Sequence, residues 1–187
     1  MVSFADKPTL RGRRVTVRPL APRDADDLLA LLEDADTRRL TGTFDVFTLE
    51  QVQYWCHTRG DQTDRLDLAI ESAAGGAFLG ECALTDWHEA NRTCNLRIAL
   101  APSWAGKGFG RDALRLVIDY VFTNLPIDRI GLDVYAHNTR ALRVFHGLGF
   151  APEGRLHGRT EHDDVLILGL LRFEWEHGGA RRAGVAG

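Results

Sequence analysis

Apolar residues recur along the chain at two spacings, one typical of strands and one typical of helices. They alternate with polar residues over 14–18, 66–70 and 130–134, which predicts strands. Between Ala113 and Phe122 they follow a helical stripe, and residues 48–51 (Thr-Leu-Glu-Gln) are typical of a capping box that opens a helix. Further strands are predicted over 78–84, 94–100 and 165–171, and further helices over 24–32 and 139–148.

The order of these elements predicts one α/β domain with a mixed sheet. Turn signals at Gly75-Gly76 and Asn91-Arg92 favour antiparallel neighbours, whereas the later succession of strand, helix and strand favours a crossover. No repeat or linker divides the chain, so residues 1–177 are predicted to form a single domain. Residues 178–187 are small, polar and rich in glycine, and they are predicted to form a disordered tail.

Composition narrows the functional classes. The 187 residues carry a formal net charge of -3, which gives no reason to expect nucleic-acid binding. The cysteine count is odd and without paired spacing, which argues against a disulfide framework. No apolar run reaches the roughly 18 residues of a membrane span, and residues 1–14 lack a signal-peptide pattern. These features predict a cytoplasmic protein without a membrane or nucleic-acid partner, and they leave a homodimer open.

A glycine-rich stretch between a predicted strand and a predicted helix gives the strongest functional signal. Residues 105–110 (Ala-Gly-Lys-Gly-Phe-Gly) follow the strand that ends at Leu100. Glycines allow close backbone approach, and free N–H groups at a helix N-terminus attract anions, so this loop is predicted to bind a pyrophosphate. Lys107 and Arg111 add positive charge. The spacing differs from the Walker A and dinucleotide-binding motifs, and a glycine-rich turn without a ligand is the alternative.

A second motif follows the next predicted strand, within residues 133–150. Asn138 precedes Ala141 by three residues, and Gly149-Phe150 ends the predicted helix. With the glycine loop before it, the sequence resembles the GCN5-related N-acetyltransferase (GNAT) superfamily, in its RimJ/RimL-like branch. The loop is similar to the family's Gln/Arg-x-x-Gly-x-Gly/Ala motif, and the second segment is similar to its Asn and Ala/Ser signature ending in Gly-Phe. The resemblance covers roughly residues 10–175.

This resemblance implies a strongly twisted mixed sheet, flanked by helices and split at the strand ending near Leu100. It implies that acetyl-CoA binds in the split as a co-substrate, without a metal ion. The pantetheine arm would lie along the strand end, and the pyrophosphate would lie on the loop. The cofactor-binding residues predicted in this way are Ile98, Ala99, Leu100, Ala105, Gly106, Lys107, Gly108, Phe109, Gly110, Arg111, Asn138 and Arg143.

Three positions depart from the family pattern. Ala105 stands where the loop motif has Gln or Arg, so one side-chain contact to phosphate is missing. Phe145 stands where many relatives have a general-acid Tyr, and Ala141 stands where the branch has Ser. Neither side chain has a proton to donate, so water is expected to protonate the departing thiolate.

An amine must lose a proton before or during its attack on a thioester. Glu81 is the first catalytic candidate, because it interrupts the apolar run 78–84 and alternation puts it on the face of Leu79 and Ala83. His88 is the second, because an imidazole titrates near neutral pH. For both residues, a solvated surface side chain is the alternative.

The predicted activity is transfer of an acetyl group from acetyl-CoA to a primary amine, by direct attack in a ternary complex. The acceptor is a protein N-terminal amine, as the branch suggests, or a small amine such as a polyamine. A non-catalytic acyl-CoA-binding module and a nucleotide-binding protein are the competing interpretations. Residues 161–164 (Glu-His-Asp-Asp) and Cys56-His57 have metal-ligating side chains without the spacing of a known site, and they are expected to be ordinary turns.

Overall fold

The computed structural model describes residues 4–160 and 163–183, which form a mixed sheet flanked by α-helices. The strands are β1 (Leu10–Arg11), β2 (Val15–Pro19), β3 (Leu66–Ser72), β4 (Phe78–His88), β5 (Thr93–Leu100), β6 (Arg129–Tyr135), β7 (Ala151–Thr160) and β8 (Asp163–Leu171). The helices are α1 (Ala25–Glu33), α2 (Ala35–Thr41), α3 (Leu49–Thr58), α4 (Phe109–Asn124), α5 (Thr139–Leu148) and α6 (Arg172–Ala183). None of the described helices combines the length and the apolar character needed to cross a membrane.

The predicted strands and helices are all present, and the capping box at α3 is confirmed. The Gln51 N–H donates to Thr48 Oγ1 at 3.2 Å, and the Thr48 N–H donates to Gln51 Oε1 at 2.9 Å. The sequence pattern misses β1, α2, β7 and α6. Helix α2 is too short for a clear stripe, and its start is fixed by a cap in which the Thr37 N–H donates to Asp34 Oδ1 at 2.7 Å.

Helix α6 enters the segment that sequence analysis predicts as a tail. The helix continues through Ala183 and so includes residues 178–183 of that segment. Extending an existing helix is easier than nucleating one, and the last turn contains Ala and Arg, which are good helix formers. Residues 184–187 lie outside the described residues.

The sheet opens between β5 and β6, the fifth and sixth of its eight strands. The strand order is β1-β2-β3-β4-β5-β6-β8-β7, and among these described strands β5 and β6 are the only parallel neighbours. These two strands pair at Thr93–Arg129, Cys94–Ile130 and Asn95–Gly131, and no further along. The segment 96–100 of β5 therefore borders an opening in the sheet, which confirms the predicted split.

Each face of the sheet carries an apolar core. Helix α4 packs on one face, where Val117 and Ile118 are fully buried against side chains of β3, β4 and β5. Helices α1 and α3 pack on the other face, where Leu28 and Val52 surround Ala69 of β3. Burial on both faces explains why β3 and β4 have long apolar runs instead of a strict alternation.

A β-bulge in β4 changes which side chains share a face. Ile70 pairs with Gly80 and Glu71 pairs with Phe78, so Leu79 is an extra residue in the strand. Leu79 consequently packs in the core beneath α4. The predicted shared face of Glu81 and Leu79 is therefore wrong, because simple alternation takes no account of a bulge.

Candidate active site

Two cavities meet at the opening between β5 and β6. The loop cavity, of about 610 Å³, lies between β5, the glycine loop (residues 105–110) and α5. The acidic cavity, of about 480 Å³, lies between β4, β5, β6 and α2. Residues that border both are Thr37, Leu40, Thr41, Ile98, Ala99, Asn138, Ala141 and Phe145. A molecule held in one cavity can therefore reach a molecule held in the other.

The glycine loop turns the chain from β5 into α4. Gly106 and Gly108 have φ angles of 78° and 87°, in the left-handed region that favours glycine. A methyl group at Gly110 would lie 3.0 Å from Leu100 Cδ1, so the loop packs directly on the end of β5. The Asp112 N–H donates to the Gly108 carbonyl at 3.1 Å. The N–H groups before it have no acceptor within the helix, and they suit an anion.

Three arginines line the loop cavity: Arg111 at the start of α4, and Arg140 and Arg143 on α5. The Arg140 Nε lies 3.9 Å from the place that a methyl group at Gly106 would occupy. A guanidinium group binds phosphate oxygens in a two-pronged geometry, so these side chains add to the anion site. Sequence analysis predicts Asn138 and Arg143 from the same helix and its cap, but it misses Arg140.

The end of β5 presents main-chain groups to the opening. The Ala101 N–H donates to the Leu79 carbonyl on β4 at 2.9 Å. Alternation along β5 then directs the N–H and C=O groups of Ala99 toward β4, and those of Ile98 and Leu100 toward the opening. An extended ligand can pair with these groups as an added strand does.

Asn138 caps α5 at the junction of the two cavities. Its Oδ1 accepts a hydrogen bond from the Ala141 N–H at 3.1 Å. Because Oδ1 is engaged in the cap, a ligand would meet the Nδ2 group, which can only donate. Its position suits contact with carbonyl oxygens of an extended molecule along β5.

The loop cavity gathers ten of the twelve predicted cofactor-binding residues. They are Ile98, Ala99, Leu100, Ala105, Gly106, Gly108, Gly110, Arg111, Asn138 and Arg143. The side chains of Lys107 and Phe109 lie outside its lining. Lys107 Nζ lies 5.3 Å from the centre of the Trp104 ring, and Phe109 packs edge-on against the same ring at 5.8 Å. The predicted rim charge of Lys107 is therefore stacked on Trp104 instead of lining the cavity.

Glu81 lines the acidic cavity and is only 7% exposed. It pairs with Ala69 and Ala99, which belong to the core under α1 and α3, and its side chain lies on that face. Glu81 Oε1 accepts a hydrogen bond from Arg97 Nη2 at 3.0 Å. The Arg97 side chain is 60% exposed, so this ion pair joins the cavity to solvent.

Asp86 and Asp133 also line the acidic cavity. Asp86 has a φ of 54°, and its Oδ2 accepts a hydrogen bond from Asn95 Nδ2 at 3.1 Å. Tyr135 presents its hydroxyl group against the end of α2, where a methyl group at Gly42 would overlap it. Sequence analysis misses Tyr135, because strand β6 gives a packing signal only.

His88 lies apart from both cavities. It is exposed at the far end of β4, where its Nδ1 accepts a hydrogen bond from the Asn91 N–H at 3.2 Å. The imidazole thus stabilises the turn between β4 and β5. Strand β4 carries Glu81 and His88 seven positions apart, so the second catalytic candidate lies outside the cavity that the first one lines.

Phe145 and Ala141 border both cavities at the junction. Phe145 is buried and packs edge-on against Phe150, with ring centres 5.7 Å apart. The apolar ring and the methyl group leave the junction without an acidic proton at these two positions.

The three cysteines are buried and free, and none belongs to the lining of either cavity. Burial raises the pKa of the Cys56 thiol to about 11 and that of Cys94 to about 12, and it also raises the pKa of Cys82. All three are thiols, and so poor nucleophiles, at neutral pH. Within residues 4–160 and 163–183, no group of three or more His, Cys, Asp or Glu side chains is arranged to hold a metal ion. Residues 161–162 of the candidate metal segment lie outside the described residues.

Residues 14–151 match the acetyltransferase (GNAT) domain family. The SPbeta prophage-derived uncharacterized N-acetyltransferase YokL of Bacillus subtilis is 24% identical over 173 residues, which cover 89% of this chain and 96% of that protein. The spermidine N(1)-acetyltransferase of Vibrio cholerae is 33% identical over 104 residues, which cover 52% of this chain and 59% of that protein.

Solved structures share the fold. The crystal structure of the spermidine N-acetyltransferase from Vibrio cholerae in complex with CoA and spermine aligns with a TM-score of 0.80 at 22% identity. That alignment covers 88% of this chain and 99% of the other. A GNAT-family acetyltransferase from Bacillus anthracis aligns with a TM-score of 0.77 at 17% identity, over 89% of this chain and all of the other.

The glycine loop and the open strand edge suit a donor that carries a pyrophosphate. The second cavity, which meets the first at the junction, suits an acceptor that attacks the donor. The family match covers well over half of the chain, from β2 to the start of β7. The chain therefore belongs to the acetyltransferase (GNAT) family and is an acetyl-CoA-dependent N-acetyltransferase.

Proposed function

We propose that this enzyme transfers the acetyl group of acetyl-CoA to a primary amine by direct attack in a ternary complex. The observation that supports this most is the junction of the two cavities at Ile98, Ala99 and Asn138. Donor and acceptor can occupy the two cavities at the same time. A covalent acetyl-enzyme needs a nucleophile, and the cysteines lie in the core, away from both linings.

The donor occupies the loop cavity in this proposal. Its pyrophosphate binds the N–H groups of residues 108–111 and the guanidinium groups of Arg111, Arg140 and Arg143. The pantetheine arm pairs with the free edge of Ile98 and Leu100, and its carbonyl groups accept from Asn138 Nδ2. The thioester then reaches the junction of the cavities.

The acceptor nitrogen attacks the thioester carbon, and the carbon–sulfur bond breaks as CoA leaves as a thiolate. A lysine-like amine has a pKa near 10.4, so a base must take its proton at neutral pH. We assign this role to Glu81, because its carboxylate lines the acidic cavity next to the junction. The N–H of Ile98 stabilises the developing oxyanion. Water protonates the thiolate, since Phe145 and Ala141 carry no acidic proton.

We further propose that the acceptor is a small amine with more than one positive charge. Glu81, Asp86 and Asp133 line the acidic cavity with carboxylates, against one guanidinium group, that of Arg97. A cavity lined mainly by one sign of charge concentrates ligands of the other sign. The spermidine N(1)-acetyltransferase of Vibrio cholerae, 33% identical over 104 residues, supports the same class of acceptor.

A polypeptide N-terminal amine is the second candidate. Thr43 lines the acidic cavity, and the next residues of that loop expose Phe44 and Val46 to solvent. Exposed apolar side chains beside a cavity suit an acceptor that extends beyond it. The resemblance to the RimJ/RimL-like branch supports this candidate.

A panel of amines tests the proposal, with thiol release from acetyl-CoA as the readout and mass spectrometry of the acetylated product as confirmation. The panel contains a polyamine, a monoamine of equal length and a short peptide with a free N-terminus. We expect the polyamine to give the highest kcat/KM. Higher turnover of the monoamine would refute the charged acceptor, and absence of thiol release with every amine would refute amine acetylation.

A further inference from the structure

Arg14 contacts the outer side of the glycine loop from a distant part of the chain. It precedes β2, and its Nη1 donates to the Lys107 carbonyl, 93 residues away, at 3.2 Å. Its Nε donates to Asp112 Oδ2 at 2.7 Å, and its guanidinium carbon lies 4.9 Å from the centre of the Phe109 ring. A methyl group at Gly108 would lie 2.7 Å from Arg14 Nη2. One side chain therefore contacts the loop backbone, the first residue of α4 and an acid in its first turn.

This side chain lies outside the lining of both cavities. It can therefore influence a bound donor through the loop, and not by touching it. Two features transmit this influence: a hydrogen bond that fixes the Lys107 peptide, and a positive charge directly behind Gly108.

The carboxylate of Asp112 is the reason that the positive charge of Arg14 matters for donor binding. A carboxylate in the first turn favours the helix, since it complements the positive end of the helix dipole. The same carboxylate lies one helical turn from Gly108 and opposes a pyrophosphate on the loop. Arg14 offsets that negative charge. Both side chains are about two-fifths exposed, at 45% and 40%, so solvent screens the interaction and the effect is a matter of several-fold.

We propose that Arg14 is a positioning residue for donor binding, which fixes the glycine loop and neutralises Asp112 beside the pyrophosphate. This inference rests on the proposed placement of the pyrophosphate on residues 105–110. It predicts that Arg14 matters only for donors that carry a pyrophosphate.

The test compares acetyl-CoA with acetyl-pantetheine, which has the same thioester but no pyrophosphate. For Arg14→Ala we expect kcat/KM to fall about fivefold with acetyl-CoA, the upper end for an exposed ion pair, and to stay within twofold with acetyl-pantetheine. Asp112→Asn in the Arg14→Ala background should recover part of the loss. Arg14→Lys, which keeps the charge and disturbs the fold least, should retain more activity than Arg14→Ala.

Arg92 offers a matched control. It pairs with Asp128 at 3.0 Å and donates to the Pro126 carbonyl at 3.0 Å, and both side chains are 50% exposed. Arg92→Ala should leave kcat/KM unchanged with acetyl-CoA and with acetyl-pantetheine. Equal losses with both donors, an unchanged Arg14→Ala enzyme, or no recovery in the double variant would overturn the inference. If the wild-type enzyme itself used acetyl-CoA and acetyl-pantetheine equally well, the proposed placement of the pyrophosphate on the loop would be refuted, independently of Arg14.

Discussion

Replacing Gly108 by valine is expected to abolish acetyl-CoA binding while the fold survives. Gly108 has a φ of 87°, which a β-branched residue adopts only under strain, of about 1–3 kcal/mol. The methyl carbon would also lie 2.7 Å from Arg14 Nη2. The loop must therefore change its backbone angles, and its N–H groups would no longer converge on the pyrophosphate.

Thermal unfolding with and without acetyl-CoA measures this effect. For the wild-type enzyme, donor at 100 times Kd adds about 2.7 kcal/mol of stability, a rise in Tm of roughly 5–10 °C for a chain of this length. Gly108→Val should show a lower Tm without ligand and almost no rise with it. Calorimetric titration gives the loss of affinity directly.

Gly76 provides the control for backbone strain. Its φ is 67°, and a methyl group there would have no neighbour within 4 Å, in a turn between β3 and β4 that lies outside both cavities. Gly76→Val should lose comparable stability and keep the full rise with acetyl-CoA. A normal rise in Gly108→Val would refute the assignment of the loop, and loss of the rise in Gly76→Val would show that strain anywhere weakens binding.

Three further predictions follow from the junction and the core. Glu81→Gln should lower kcat about a hundred- to ten-thousandfold at neutral pH with donor affinity unchanged. Glu89→Gln, at an exposed carboxylate, should act like the wild type in the same thiol-release assay. Activity of Glu81→Gln within a few-fold of the wild type would exclude Glu81 as the base. Phe145→Tyr should keep or raise activity, and a folded, donor-binding but inactive variant would show that the apolar ring itself is required. Burial raises the pKa of Cys94 from 9.0 to about 12, so the contribution of the buried thiol to the free energy of unfolding is complete below pH 9 and is lost between pH 9 and 12. Urea unfolding across this pH range should show the decline, and Cys94→Ala should make the decline smaller.

Local sequence patterns predict much of this fold. The helical stripe and the capping box predict α4 and α3, and the family resemblance carried by the two motifs predicts the split beside β5. Most of these features depend on neighbours within a few residues, or on a left-handed backbone conformation that favours glycine.

Other features depend on contacts between distant segments, which spacing does not reveal. The extra residue Leu79 in β4 reverses the expected face, because the bulge depends on pairing with β3. Arg140 and Tyr135 belong to the site only because α5 and α2 fold over it. His88 has suitable chemistry, yet the length of β4 carries it away from the cavities.

A crystal structure with bound CoA tests the central claim most directly. The account predicts pyrophosphate oxygens within hydrogen-bonding distance of the N–H groups of residues 108–111. It also predicts that the pantetheine arm lies beside Ile98 and Leu100, with the sulfur atom at the junction of the two cavities. Binding of CoA elsewhere, or with its sulfur outside the opening between β5 and β6, would contradict the account.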